Sequence, residues 1–263
     1  MNENGPAIQT WNLTRRYGDL IAVDRLDLTV PRGVIFGFLG PNGAGKSTTI
    51  NVLTGLLPPT AGTATVAGFD IQEESIEVKR RIGVMPEGFS LYERLTVTEH
   101  ADLVGRLHGL SRTEIEQRIP PLLDLLELED SADKMILDYS HGMRKKTALV
   151  CALIHAPEIL FLDEPFEGID PIATRAIKDV LRDMVSQRGT TVFFSTHVME
   201  LAERFCDQVA IINKGQLAGV GSIPELRQRA DLPDDAPLED VFIRTVGAEV
   251  EDEGLLEWLT GKE

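Results

Sequence analysis

The chain has 263 residues, of which 43% are hydrophobic, and it carries a formal net charge of −16 with a sequence pI of about 4.8. This length and composition can bury a sizeable core, so we expect one domain with lobes. The acidity argues against electrostatic binding to nucleic acid or to an anionic membrane face. No run approaches the roughly 18 to 20 apolar residues that cross a bilayer, and residues 1–6 lack a secretion pattern, so we expect a soluble cytosolic chain.

Two stretches near the N-terminus predict a small antiparallel sheet. Alternating apolar and polar residues, interrupted by turn glycines, occupy residues 8–30 and 60–70. Tyr17 lies near the end of a strand in the first stretch. An aromatic ring at such a position often only packs on its own sheet, and this alternative stays open for Tyr17.

A glycine-rich segment between a strand pattern and a helix pattern is the strongest motif of the chain. Residues 34–39 predict a buried strand, and residues 48–53 are compatible with a helix. The intervening sequence completes G-x-x-x-x-G-K-[ST], whose glycines let backbone N–H groups close around phosphates. The predicted phosphate loop consists of Gly40, Pro41, Asn42, Gly43, Ala44, Gly45, Lys46, Ser47 and Thr48.

The side chains of this loop predict a site for a nucleoside triphosphate. Lys46 is expected to reach the terminal phosphates, and the Ser47 hydroxyl is expected to contact Mg²⁺. The start of the following helix adds its positive dipole end to the same anion site. The alternative is an ordinary glycine-rich turn, which would not require the strand and the helix that flank this loop.

The middle of the chain, from about residue 88 to 154, is mainly helical by pattern. Ser140 and Gly142 stand at the start of a predicted helix from Gly142 to Ile154. A helix start offers unpaired N–H groups, and here also a serine hydroxyl, to an anion. The alternative is that Ser140 only caps a core helix.

Two adjacent carboxylates end a second buried-strand pattern. Residues 159–162 are apolar and are followed by Asp163 and Glu164. Ligands of open parallel sheets bind at the carboxyl ends of the strands. Asp163 therefore suits a Mg²⁺ shell, directly or through water, and Glu164 suits polarising the water that attacks a γ-phosphate. An acidic strand end in solvent is the alternative.

One histidine is a candidate site residue, whereas three other histidines and both cysteines are expected to be packed. His197 follows the strand pattern 190–195, from where it can donate a hydrogen bond to a γ-phosphate. His100, His108 and His155 fall in no chemical motif and are expected to be packed. The same expectation applies to Cys151 and Cys206, which have no metal or catalytic spacing and are predicted to be buried free thiols.

Strand and helix patterns together predict an α/β fold. Helical segments separate the apolar runs that suit a parallel core sheet. The predicted core strands are residues 34–39, 81–85, 159–163, 191–195 and 208–213.

The C-terminal part, residues 222–263, is predicted to be an acidic extension. From Asp231 to Glu263 it carries 11 acidic residues against Arg244 and Lys262, with a short helical pattern over 238–243. We expect it to be partly ordered, with a solvated charge run as the default. Docking on the chain's own surface or on a neighbour is the alternative.

The motifs in this order resemble the nucleotide-binding ATPase subunit of an ATP-binding-cassette (ABC) transporter. Their spacing supports the resemblance, with 94 residues from Lys46 to Ser140 and 34 from Asp163 to His197. It implies a P-loop NTPase fold: a RecA-like parallel core, an antiparallel β lobe and a helical lobe at about 88–154. The ATPase domain would then span residues 1–221.

The resemblance implies further roles. The Tyr17 ring would stack on adenine, and Glu87 would occupy the family's Gln-loop position as a metal and coupling residue. Ser140 and Gly142 would face the γ-phosphate held by a second subunit, and Asp170 would order the seam between subunits. For Glu87 an exposed loop acid, and for Asp170 a plain turn aspartate, are the alternatives.

Three positions depart from the family pattern. The usual Leu-Ser-Gly-Gly-Gln signature is Tyr-Ser-His-Gly-Met here, so that His141 replaces a glycine and Met143 a glutamine. Glu87 stands where the family usually has glutamine. Its charge would strengthen metal contact, but it would also repel a triphosphate unless it is neutralised.

The resemblance implies an ATPase subunit that dimerises around ATP and Mg²⁺ and drives a partner membrane permease. The dimer would be a homodimer or a heterodimer. The signature and Glu87 look more like bacterial exporter-type ATPases than nutrient importers. The chain would lie on the cytoplasmic face of the membrane through its permease, without nucleic acid. The alternatives are a soluble non-transport ABC ATPase and a low-turnover regulatory nucleotide-binding subunit.

Overall fold

Two β-sheets carry the strands of this protein, for which a computed structural model describes residues 5–88 and 91–247. The strands are β1 (Ile8–Tyr17), β2 (Leu20–Leu26), β3 (Thr29–Val30), β4 (Ile35–Leu39), β5 (Ala61–Val66), β6 (Phe69–Asp70), β7 (Ile82–Met85), β8 (Ile159–Asp163), β9 (Thr191–Thr196), β10 (Gln208–Asn213) and β11 (Gln216–Gly221).

Helices lie between and after these strands, and two short 3₁₀ turns occupy Glu129–Ser131 and Ile136–Asp138. The helices are α1 (Lys46–Leu53), α2 (Ser75–Arg81), α3 (Val97–Leu107), α4 (Arg112–Leu125), α5 (His141–Leu153), α6 (Pro171–Arg188), α7 (Met199–Phe205), α8 (Ile223–Arg229) and α9 (Leu238–Val246).

The first sheet is antiparallel and has the order β2-β1-β5-β6, with β3 paired to β1. It is built from the two stretches in which alternation predicts such a sheet. Its inner face is closed by apolar side chains such as Leu13, Val23 and Val66, all fully buried. The predicted antiparallel lobe is confirmed.

The second sheet has the order β11-β10-β4-β9-β8-β7. Strands β10, β4, β9, β8 and β7 run parallel, and β11 closes the edge antiparallel. All five predicted core strands are present, with ends within one residue of the prediction. Strands β4 and β8 are buried at every residue because both faces of the sheet are covered, which explains their continuous apolar sequences.

Aromatic side chains fill the centre of the parallel sheet. The Phe193 ring lies 5.7 Å from Phe36, 5.3 Å from Phe38 and 5.5 Å from Phe161, measured between centroids. All four side chains have no exposed surface. On the opposite face, Phe194 belongs to a core shared with the helical region. The sheet is therefore held rigidly between two apolar layers.

The predicted helical lobe is formed by α3, α4 and α5. Helices α3 and α4 begin with capping boxes, Thr96 with Glu99 and Ser111 with Glu114, in which each N-cap side chain and the third helical residue bond reciprocally. Helix α5 begins at His141, one residue before the predicted start. The predicted helix at the signature is confirmed.

The described C-terminal residues, 222–247, dock on the chain itself. Helix α9 buries Leu238 and Val241, which join Leu39, Val209 and Leu226 in one apolar cluster. The acidic side chains Glu239 and Asp240 point to solvent, so the helix is amphipathic. The expectation of a solvated charge run is thus wrong up to residue 247. Residues 248–263 lie outside the described part, and the domain boundary at residue 221 stays a prediction.

Three histidines, His100, His108 and His155, and both cysteines are packed, as predicted. His100 is buried, and the rings of His108 and His155 stack with centroids 3.6 Å apart. Burial lowers the pKa of His155 to about 4. Cys151 and Cys206 are free thiols, and burial raises the pKa of Cys151 to about 12.

Within residues 5–88 and 91–247, no helix has both the length and the apolar character that crossing a membrane requires.

Replacing Leu238 with alanine tests whether α9 is an integral part of the fold. The substitution leaves a cavity in a fully buried cluster, and we expect the free energy of unfolding to fall by about 2 to 5 kcal/mol. Urea denaturation measures this change. Glu239→Ala, at an exposed position of the same helix, should change the value by less than about 0.5 kcal/mol. Equal values for both variants would show that α9 is not packed.

Candidate nucleotide-binding site

The phosphate loop connects β4 to α1 and approaches other backbone closely. Gly43 and Gly45 have φ angles of 79° and 104°, a left-handed conformation that favours glycine. A Cβ atom at Gly45 would lie 2.2 Å from the Ala22 carbonyl oxygen. The loop therefore needs glycine here both for its backbone conformation and for its packing against β2.

Lys46 lies inside the loop as a nearly buried cation. Its Nζ atom donates to the carbonyl oxygens of Gly40 at 2.8 Å and Pro41 at 3.2 Å, and it lies 3.5 Å from Glu164 Oε1. Its side chain is only 6% exposed. The ammonium is thus held next to the open centre of the loop, where a phosphate would replace these partners.

Asp163 and Glu164 are joined through a hydroxyl group of the neighbouring strand. Ser195 Oγ donates a very short hydrogen bond to Asp163 Oδ1 and accepts one from the Glu164 backbone N–H at 3.1 Å. Ser195 is fully buried. Glu164 itself has φ 46°, an uncommon left-handed conformation for a residue with a side chain. Ser195 therefore fixes both carboxylate residues at once.

Ser47, Glu87 and Asp163 form a group of oxygen ligands at the same place. Ser47 Oγ donates to Glu87 Oε2 at 3.1 Å, and the same hydroxyl acts on the Asp163 carboxylate. Burial raises the pKa of Asp163, and the hydrogen bonds from Ser195 and Ser47 act in the opposite direction. A set of hydroxyl and carboxylate oxygens suits Mg²⁺. The residues present therefore fit the ion that the motif implies.

These side chains do not by themselves complete a metal site. Among the described residues, no three His, Cys, Asp or Glu side chains converge as metal ligands. Mg²⁺ usually keeps several waters and is held by one or two carboxylates plus substrate phosphates. The local chemistry thus suits an ion that arrives together with a triphosphate.

His197 lies against Glu164 at the edge of the phosphate loop. Its Nδ1 atom is 3.0 Å from Glu164 Oε1, and its side chain is 41% exposed, whereas that of Glu164 is only 10% exposed. One carboxylate oxygen of Glu164 thus contacts both Lys46 and His197. The structure brings these three residues together, although they are far apart in the sequence.

An open cavity of about 370 Å³ joins most of the predicted residues. Tyr17 forms part of its wall, 43% exposed, with the Arg15 guanidinium 4.6 Å from the ring centroid. This exposure disfavours the alternative that Tyr17 only packs on its sheet. The predicted residues that line the cavity are Tyr17, Asn42, Gly43, Gly45, Lys46, Ser47, Thr48, Glu87, Glu164 and His197.

Some residues of the site were missed by sequence reasoning. Leu20, Ala22 and Glu167 also line the cavity. Ser195 is a further omission, and its signal was available: a serine interrupts an apolar run at the end of a strand, where a polar side chain has to find a partner. Leu20 and Ala22 carry no such signal, because only the packing of the two sheets brings them to the loop.

Seven predicted residues do not line this cavity: Gly40, Pro41, Ala44 and Asp163 belong to its phosphate loop and strand end, whereas Ser140, Gly142 and Asp170 lie on other elements. Ser140 caps α5, accepting a hydrogen bond from the Met143 N–H at 3.3 Å. Asp170 caps α6 through the Ala173 N–H at 2.9 Å and lies 3.3 Å from Lys146 Nζ. Gly142 is close to other backbone, since a Cβ atom there would lie 3.0 Å from the Gly168 oxygen. Their roles toward a second subunit stay predictions.

A family model described as "ABC transporter" matches residues 23–167, more than half of the chain. This chain belongs to the ABC transporter family. The match covers the phosphate loop, the signature segment and both strand-end carboxylates. The prediction of an ATP-binding ATPase subunit is thereby confirmed at the level of the family, together with the P-loop fold.

Relatives in this family carry names that refer to export and resistance. The chain is 42% identical over 210 residues to the Nod factor export ATP-binding protein I of Sinorhizobium fredii, covering 80% of this chain and 61% of that protein. It is 41% identical over 221 residues to the daunorubicin/doxorubicin resistance ATP-binding protein DrrA of Streptomyces peucetius, covering 84% and 67%. The chain therefore spans about two thirds of the length of these relatives.

Solved structures of the ABC transporter family have the same fold. An ATP-binding subunit of an ABC transporter superposes with a TM-score of 0.86 at 32% identity, covering 91% of this chain and 99% of that chain. A dimeric bacterial ABC transporter cassette superposes with a TM-score of 0.76 at 26% identity, covering 82% and 98%. The expected fold class is confirmed.

Replacing Ser195 with alanine removes the hydroxyl that joins the two carboxylate residues. We expect kcat for ATP hydrolysis to fall by about 10- to 100-fold, because small displacements of reacting groups are costly. KM should change little, since Ser195 is buried and does not line the cavity. Steady-state kinetics measures both constants. Ser186→Ala, at an exposed serine of α6, is the control, and an unchanged kcat in the Ser195 variant would contradict the assignment.

Proposed function

We propose that this chain binds and hydrolyses ATP and thereby powers export through a separate membrane permease. The observation that carries the proposal is the contact of one oxygen, Glu164 Oε1, with both Lys46 Nζ at 3.5 Å and His197 Nδ1 at 3.0 Å. A phosphate-binding cation, a base and its orienting histidine thus meet in one cavity. This set of groups is what in-line attack of water on a γ-phosphate requires.

ATP binding follows from the two ends of the cavity. The Tyr17 ring offers a partly exposed face to adenine, and π-stacking discriminates weakly between bases. At the other end, the loop N–H groups and the N-terminus of α1 receive the phosphates. Lys46 then exchanges its carbonyl and Glu164 partners for phosphate oxygens. This exchange would also release Glu164 for a water molecule.

Hydrolysis rests on Glu164. Its carboxylate accepts a hydrogen bond from the attacking water and polarises it, while His197 holds the carboxylate in line and donates toward the γ-phosphate. Ser195 holds Glu164 at the end of β8 by accepting a hydrogen bond from its backbone N–H. Ser47 and Asp163, with Glu87, would hold Mg²⁺, which supplies charge neutralisation for the β- and γ-phosphates.

Dimerisation supplies the remaining groups. Ser140 and Gly142 at the start of α5, with Asp170, lie outside the cavity, and we propose that they act on ATP held by a second subunit. Ile172, next to Asp170, is 75% exposed, which suits a surface that becomes covered. A dimeric cassette is among the similar structures. We therefore propose a dimer, formed with a second copy or with a related subunit.

A groove between the core and the helical lobe suits the permease. It has a volume of about 600 Å³, and mainly apolar side chains of α2, β7, α3 and α5 line it. Leu56, Ile76 and Leu107 stand at the groove with exposures of 57%, 61% and 76%. Leu91 and His100 also line it. We propose that cytoplasmic helices of the permease bind here, which would place the chain at the cytoplasmic face.

The names of the relatives favour export over the alternatives. Both proteins described above are named for export or for drug resistance. A nucleic-acid ATPase is disfavoured by the net charge of −16. A regulatory subunit with little turnover is disfavoured because Lys46, Glu164 and His197 are all present and in contact.

Glu164→Gln tests the hydrolytic part of the proposal. Glutamine keeps the size of the side chain but removes its charge, so we expect kcat to fall by about 100-fold or more, while ATP still binds. Light scattering in ATP and Mg²⁺ should show a stable dimer for this variant. Lys46→Ala is the matched control that should neither bind ATP tightly nor dimerise. Turnover by Glu164→Gln at the wild-type rate would contradict the assignment of Glu164 as base.

Leu107→Asp tests the permease groove. A charge on this exposed apolar surface should be costly to bury, so we expect the fraction of the protein retained on washed membrane vesicles of its own host to fall by about tenfold. Thr113→Asp adds the same charge at an exposed site of α4 outside the groove and should retain membrane binding. Equal retention of both variants would exclude the groove as the contact.

A further inference from the structure

Lys145 is a buried cation in the second turn of α5, next to the nucleotide site. Its side chain is 3% exposed, and its Nζ atom donates to the Glu167 carbonyl oxygen at 2.7 Å. Within the described residues its ammonium has no carboxylate within 4.0 Å. A buried charge is costly unless nearby charges compensate it, so the partners of Lys145 have to be sought at longer range.

The surroundings of Lys145 are acidic. Glu167, whose carbonyl binds Lys145, lines the cavity together with Glu87 and Glu164. Asp163 precedes Glu164 and is bonded to Ser195. Burial lowers the pKa of Lys145, and the negative charges of Glu167, Glu164, Glu87 and Asp163 oppose that decrease. The ammonium is thus surrounded by the carboxylates of the site without pairing with one of them.

The position of Glu87 connects the charge of Lys145 to the binding of a triphosphate. Its carboxylate is hydrogen-bonded to Ser47 at 3.1 Å, so it lies where the phosphates and their metal ion would bind. A carboxylate there repels a triphosphate, and the repulsion is large where the site is partly buried. Lys46 is engaged with the loop and with Glu164. Mg²⁺ would offset Glu87 when it arrives with the triphosphate, whereas binding of the metal-free triphosphate calls for a fixed cation in addition to Lys46.

We propose that Lys145 is that cation: a positioning residue whose charge offsets Glu87 and lets the acidic site accept ATP. This inference rests on the proposed ATP binding and adds a charge relation within the same site. The bond to the Glu167 carbonyl has a second consequence, because it ties the start of α5 to the segment that follows Glu164. The effect of the Lys145 charge can be distinguished from the effect of this hydrogen bond, because only the effect of the charge depends on Glu87.

The test is a double-mutant cycle on the full chain, with Lys145→Met, Glu87→Gln and the double variant. Binding of ATP is measured by equilibrium fluorescence titration with a fluorescent ATP analogue, once with Mg²⁺ and once with EDTA. We expect Lys145→Met to weaken binding by about tenfold or more in EDTA, where the triphosphate charge is largest, and less with Mg²⁺. The double variant should regain most of the lost affinity.

Two controls separate charge from structure. Lys145→Arg keeps the charge and should bind the analogue within about threefold of the wild type. Lys134→Met removes a charge from an exposed position and should leave binding unchanged. Glu87→Gln alone should bind the metal-free analogue more tightly than the wild type, and this measurement stands even if Lys145→Met fails to fold.

Two results would overturn the inference. Equal losses in Lys145→Met and in the double variant would mean that Lys145 acts only through the Glu167 carbonyl. Metal-free binding that Glu87→Gln leaves unchanged would mean that Glu87 needs no countercharge. A wild-type protein that binds no ATP with or without Mg²⁺ would instead remove the proposed function itself, so the two failures are distinguishable.

Discussion

The parallel pairing of β4, β9 and β8 is the constraint on which the rest of the site depends. Leu39 pairs with Thr196, and Asp163 pairs with Ser195, so the three strands end at one edge of the sheet. At this edge the phosphate loop follows β4, Asp163 and Glu164 lie at the end of β8, and His197 follows β9. The buried Phe193 cluster prevents sliding of the strands, because interdigitated rings tolerate little displacement.

Charge balance is the second constraint, because the edge collects more acids than bases. Asp163 is compensated by hydroxyl groups, and Glu164 by Lys46 and His197. The Ser195 hydroxyl of β9 bonds Asp163 and the Glu164 backbone, and the Lys145 ammonium of α5 bonds the Glu167 backbone carbonyl. Neither lines the cavity. The backbone and the carboxylates of this edge are thus held by buried side chains that do not line the cavity.

Periodicity and motifs predicted most of the fold from local information. The five parallel strands were predicted to within one residue at each end because strands buried on both faces have continuous apolar sequences. The helix at the signature was predicted to within one residue of its start, because the N-cap serine Ser140 is a local signal. Charge counting failed for residues 231–247, since the spacing of Leu238 and Val241 outweighs the surrounding acids. Apolar spacing, and not net charge, decides whether such a helix docks.

The sequence by itself determined which chemistry this protein carries, because the loop from Gly40 to Thr48 and the pair Asp163–Glu164 have meaning through their own residue types and local spacing. Only the tertiary structure decided which groups support that chemistry. Leu20, Ser195 and Lys145 belong to no motif, and they reach the site through sheet packing, strand register and the docking of α5. Contacts between distant segments arise from packing of the whole chain, which a local pattern does not encode.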